Sequence, residues 1–104
     1  MSMSRITLYI PSEHEKSAHY VEQALAGFAS IAGGASSASI TGAWQPPNQA
    51  LCTEPLSVVY SLASDATLPA CKTFALRLAQ DIKSAMSQEA VLVTIEPHID
   101  MILV

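Results

Sequence analysis

Ala38-Ser39-Ile40-Thr41-Gly42-Ala43-Trp44, then Gln45-Pro46-Pro47-Asn48-Gln49, then Leu56-Ser57-Val58-Val59-Tyr60-Ser61-Leu62-Ala63 is the stretch whose reading decides the fold. Its two ends have the alternation and β-branched content of strands. The proline pair between them cannot donate a full ladder of backbone hydrogen bonds. Residues 38–44 and 56–63 are therefore two strands joined by a wide hairpin loop. In the second strand Leu56, Val58, Tyr60 and Leu62 alternate against Ser57, Val59 and Ser61, and the larger set is expected to face the core.

Working outward, the segment before this hairpin reads as a helix and the segment before that as a strand. Arg5 to Ile10 alternates, with Ile6, Leu8 and Ile10 on one side and Thr7 and Tyr9 on the other, and Pro11 ends it. Ser12 is placed to cap a helix, with Glu15 three positions on as in a capping box. Ala18, Val21, Leu25, Phe28 and Ala32 recur at helical spacing until Gly33-Gly34. On the other side of the hairpin, Asp65 or Thr67 can cap a second helix with Pro69 in its first turn. Its apolar stripe is Cys71, Phe74, Ala75, Leu78, Ile82, Ala85 and Met86. Ala90 to Ile95 is a β-branched run and a fourth strand, Pro97 is expected to break it, and Ile99 to Val104 could add a fifth.

The order β-α-β-β-α-β predicts an α+β ferredoxin-like fold, an antiparallel sheet with both helices on one face, in a single domain spanning 1–104. On this reading the opposite sheet face carries Thr7, Tyr9, Thr41, Ala43, Ser57, Val59, Ser61, Leu92 and Thr94, with no charge among them. A solvated sheet face normally carries charged residues in its alternation, so this one is expected to meet a second copy. The prediction is a homodimer packed sheet to sheet through Tyr9, Thr41, Ala43, Val59 and Leu92, with the apolar tail able to exchange onto the partner.

Composition narrows the function. Half of the 104 residues are hydrophobic and 13% are charged, which excludes a disordered chain and agrees with burial by a partner. Five Lys and Arg, scattered within a net charge of -4, leave no basic patch, so no nucleic-acid partner is expected. No apolar run approaches the roughly 20 residues of a membrane span, and residues 1–5 lack an export signal, so no membrane partner and a cytoplasmic location are expected. Cys52 and Cys71 lack metal-ligand spacing and are expected to be free thiols. His14 and His19 are five apart, which on a helix turns the two imidazoles roughly 140° from each other, so no metal is expected there. No cofactor-binding motif is present, and none is assigned.

The predicted topology brings Pro11 to Glu15, Trp44 to Glu54 and Ser84 to Glu89 to one end of the sheet. That end gathers His14, Trp44, Glu54, Gln88 and Glu89 as candidate ligand-binding residues: an aromatic platform, an amide and carboxylates. The commoner role of such residues is structural, with Trp44 plugging the sheet end and the polar groups closing turns. No nucleophile motif supports catalysis, and the catalytic residues are left unassigned.

Gly42-Ala43-Trp44, Glu54 and Gln88-Glu89-Ala90-Val91-Leu92 together resemble small uncharacterised ferredoxin-like proteins of the DUF3574-like kind. Their pattern is a Gly-x-Trp near the central hairpin, a Glu opening the next strand and a Gln-Glu-x-Val-Leu strand after the last helix. These families commonly carry Gly-Gly-x-Thr after the first helix, where this chain has Gly33-Gly34-Ala35-Ser36. The resemblance implies a ferredoxin-like fold without an established activity. The leading expectation is a cytoplasmic homodimeric ligand-binding or interaction module. One alternative is a small dimeric enzyme acting on an organic molecule with Glu54 or His14 as general base, and another is a protein-binding accessory or inhibitory factor.

Overall fold

The alternation centred on Ile6, Leu8 and Ile10 forms β1 (Ser2–Pro11) in the computed structural model, which describes residues 2–104. It is followed by α1 (Ser17–Ala32), β2 (Ser36–Trp44), β3 (Cys52–Ala63), α2 (Leu68–Ala85) and β4 (Val93–Asp100). The four strands form one sheet in the order β2-β3-β1-β4, with every neighbouring pair antiparallel. Ile6, Leu8, Ile10 and Val59 meet Ala24 and Phe28 of α1 and Cys71, Ala75, Leu78 and Ile82 of α2 in one core. Both helices therefore lie on one sheet face, and the architecture is the expected α+β ferredoxin-like one.

The two faces of β3 are the reverse of the sequence expectation. Leu8 pairs with Val59, Ile6 with Ser61 and Ile10 with Ser57, and residues directly opposite one another share a face. Val59 and Ser61 are accordingly buried beneath the helices, so Val59 belongs to the core and is not available to a dimer interface. The β2 register, Ser37 with Val59 and Ser39 with Ser57, puts Thr41 and Ala43 on the helix side as well. The open face carries Tyr9 with Leu56, Val58, Tyr60 and Leu62, and Leu92 joins it where its carbonyl accepts the Tyr9 N–H at 3.1 Å. Nor is that face free of charge. Arg5 and Glu96 pair across it in a bidentate ion pair at 2.8 and 2.9 Å, and the guanidinium lies 5.9 Å from the Tyr60 ring centre. Glu96 holds the Arg5 pKa above its ordinary value.

Three boundaries also differ from expectation. Ser12 does not cap α1, because its N–H is given to Pro55 O at 3.2 Å and its hydroxyl meets that of Ser57 at 3.1 Å. The helix begins at Ser17, whose hydroxyl donates to Pro11 O and accepts the His14 N–H. β4 passes through Pro97 instead of ending there, since on an edge strand a missing N–H can face solvent. Ile99 and Asp100 complete β4, residues 101–104 form no strand, and Ile102 to Val104 are exposed. Gly33 does end α1, at φ 93° with its N–H bonded to Ala29 O.

Candidate functional site

β1 ends, β3 begins and α2 ends at the same edge of the sheet, and the segments leaving them are held by short-range hydrogen bonds. The Pro11–Lys16 turn is pinned by the buried Ser17 hydroxyl. At the end of α2, Ser87 turns the chain with φ 53° and the Gln88 N–H bonds back to Lys83 O at 3.0 Å. This is the closing pattern usually supplied by glycine, and it delivers Gln88 to the sheet edge.

Two adjoining cavities result. The first, about 230 Å³, is lined by Pro11, Glu13, His14, Glu54, Pro55 and Gln88. The second, about 200 Å³, is lined by Tyr9, Pro11, Glu54, Leu56, Gln88 and Ala90 to Leu92. Pro11, Glu54 and Gln88 belong to both, so they stand between a mouth that carries Glu13 and His14 and a shelf on the open sheet face formed by Tyr9, Leu56 and Leu92.

The hydrogen bonding of the mouth defines its chemistry. The Lys16 N–H donates to His14 Nδ1 at 3.0 Å, which leaves the proton of the neutral ring on Nε2 and makes that atom a donor. The Gln88 amide nitrogen donates to Met86 O at 3.1 Å, which leaves its Oε1 as an acceptor. With Glu13 and Glu54 the mouth therefore presents three acceptor groups, against the His14 Nε2–H and the second Gln88 amide hydrogen as donors.

Of the candidate residues named from sequence, the structure brings together His14, Glu54 and Gln88. Trp44 lines neither cavity and is half-exposed near the tip of the β2–β3 hairpin, paired with Cys52, so it does not plug the sheet end. Glu89 is exposed and lines neither cavity. The sequence reading brought Pro11 and Glu13 to this end without naming them as ligand-binding residues, and did not place Tyr9, Leu56 or Val91 here. Glu13 was within reach as the neighbour of His14, whereas Leu56 required the register of β3. Among the described residues no group of three or more His, Cys, Asp or Glu could hold a metal ion. Cys52 and Cys71 are both free, and burial pushes the Cys71 thiol pKa up. Among the described residues no helix is long and apolar enough to cross a membrane.

No protein-family model matches the chain, and no curated protein matches it. Two solved structures share its fold. One is a phage SAM lyase in complex with S-methyl-5′-thioadenosine, at TM-score 0.60 and 15% identity, the match covering 91% of this chain and 81% of that one. The other is CutA from Synechococcus elongatus, at TM-score 0.57 and 14% identity, covering 94% of this chain and 78% of that one.

Proposed function

We propose that the protein is a homodimeric module that binds a small organic molecule at the sheet end formed by His14, Glu54 and Gln88. The observation that carries this reading is the pair of cavities meeting at Glu54 and Gln88, one adding the side chains of Glu13 and His14 and the other those of Tyr9, Leu56 and Leu92. Acceptors outnumber donors in the mouth, which suits a ligand end that donates hydrogen bonds or carries positive charge. The shelf of Tyr9, Leu56 and Leu92 suits a flat or aliphatic body. Glu54 orients the donor end, Gln88 accepts a second hydrogen bond from it, and His14 Nε2–H serves an acceptor on the ligand.

Melting temperature across a panel of amines, nucleosides and thioethers tests this reading, and S-methyl-5′-thioadenosine belongs in the panel as the ligand named for one neighbour in the fold. A ligand at 100 times its Kd raises stability by about 2.7 kcal/mol, a shift well within reach of the assay. Glu54→Gln should lower affinity for the responding ligand about tenfold or more while leaving the melting temperature of the free protein unchanged. A panel without response, or a responding ligand indifferent to Glu54→Gln and Gln88→Ala, would remove the site and favour a protein-binding role. Turnover of the ligand, lost in Glu54→Gln, would make the module an enzyme with Glu54 as base.

A further inference from the structure

The two edges of the sheet are built in opposite ways. β4 carries Pro97, a positive φ of 62° at His98, and the charges of Glu96 and Asp100. These features prevent a foreign strand from pairing with an edge. β2 has none of them. From Ser36 to Trp44 it contains no charge and no proline, its φ angles are all negative, and eight of its nine residues are exposed, so its outer edge is bare and both its faces are largely uncovered. Ile40 and Trp44 are exposed apolar side chains on this strand.

We propose that β2 pairs with β2 of a second copy of this chain, antiparallel about a two-fold axis at Ile40, fusing two four-stranded sheets into one. This rests on the homodimer part of the reading above and is independent of the ligand site. The amount of exposed surface supports a second copy. A compact monomer of 11.0 kDa exposes about 5,600 Å². This chain exposes 6550 Å², an excess close to the roughly 800 Å² that each partner contributes to a standard interface.

The register follows from full overlap. Pairing all nine residues places Ile40 opposite Ile40 of the partner subunit and Trp44 opposite Ser36 of the partner subunit. Opposed residues are then of the same parity, as antiparallel pairing requires, and the open faces of the two sheets lie on one side. Ser36 lines a cavity of about 430 Å³ with Gly34, Tyr60 and Leu62, so the pairing brings each exposed Trp44 to the mouth of the other subunit's cavity. Sheet-to-sheet packing through the open face would leave the bare edge of β2 unpaired. It would also bury side chains such as Val58 and Tyr60, which their neighbours already half cover.

The test is charge exchange at the axis, read by light scattering at micromolar concentration and by Trp44 fluorescence. The wild type should run at twice the chain mass. Ile40→Lys and Ile40→Glu should each run at the chain mass with unchanged circular dichroism and a red-shifted Trp44. The two variants mixed in equal amounts should return to twice the chain mass, because the opposed charges then attract. Val58→Glu, on the open face, should leave the dimer intact. Both single variants remaining dimeric, or a mixture that stays monomeric, would overturn the pairing. A dimer broken by Val58→Glu and indifferent to Ile40→Lys would overturn it in favour of sheet-to-sheet packing while keeping the homodimer. A monomeric wild type would remove the homodimer and this pairing together and leave the ligand site standing.

Discussion

Val58 and Val59 are adjacent and chemically identical, yet the pleat places them on opposite sides of the sheet, and only Val59 is fully buried. Val59→Glu should therefore remove several kcal/mol, a large share of the roughly 5–15 kcal/mol that holds a small domain folded. Val58→Glu should shift the melting temperature by a few degrees at most; thermal denaturation of the two variants distinguishes them. The same pair shows how far the sequence could be read. Period-two alternation reveals that a strand has two faces but does not say which one meets the helices, and choosing the bulkier set as inward reversed β3. The segment leaving α1 crosses close over these small inward side chains, where the Ser61 hydroxyl donates to Gly34 O at 2.6 Å. At Gly27, where the helices approach, an added Cβ would lie 2.0 Å from the Phe74 ring, itself edge-to-face with Phe28 at 5.3 Å. Gly27→Ala should cost about 1–3 kcal/mol, with Phe74→Leu in the same chain recovering part of it. Ser87→Gly, which relieves a positive φ, should raise stability by up to about 1 kcal/mol.

At the scale of elements, the helices, the four strands and their order were legible because each repeats its period over enough residues. The ends were not, because each is decided by a distant partner. Ser12 looks like a cap until β3 takes both its N–H and its hydroxyl. Pro97 looks like a strand end until β4 is placed at the sheet edge. The candidate site was legible in outline for the same reason as the topology, since His14, Glu54 and Gln88 all follow or precede a predicted element. Trp44 was misplaced because the hairpin runs on past β1. β1 stops opposite Leu56, so Gly42 to Trp44 and Cys52 to Glu54 pair only with each other. Amide hydrogens of Thr53 and Glu54 should exchange roughly tenfold or more faster than those of Val58 and Val59, because a two-stranded ribbon opens locally. In α2 the Cys71 thiol faces the core, and burial disfavours its thiolate. Its protonated form is thus tied to the fold. That contribution is complete below the ordinary thiol value, about 8.5, and is lost as pH rises through the higher value in the fold. Denaturant titrations from pH 7 to 10 should show the decline, and Cys71→Ala should flatten it.

The whole molecule is long for its size, measuring 45 × 25 × 22 Å with a radius of gyration of 14.6 Å, where about 13 Å is expected of a compact chain of this length. The β2–β3 hairpin beyond Leu56 projects past β1, and with it goes the only tryptophan. The guarded β4 edge has a consequence for how such a molecule behaves when crowded. A sheet with two bare edges can add copies at either side without limit and grow into a fibre. A sheet with one bare edge and one interrupted by Pro97 has a single point of growth, and once that is taken no template remains. Pro97 and the positive φ beside it thus interrupt the template on that edge, and Pro97→Val combined with Glu96→Thr should yield a particle whose size rises with concentration in light scattering, where the unaltered chain's does not.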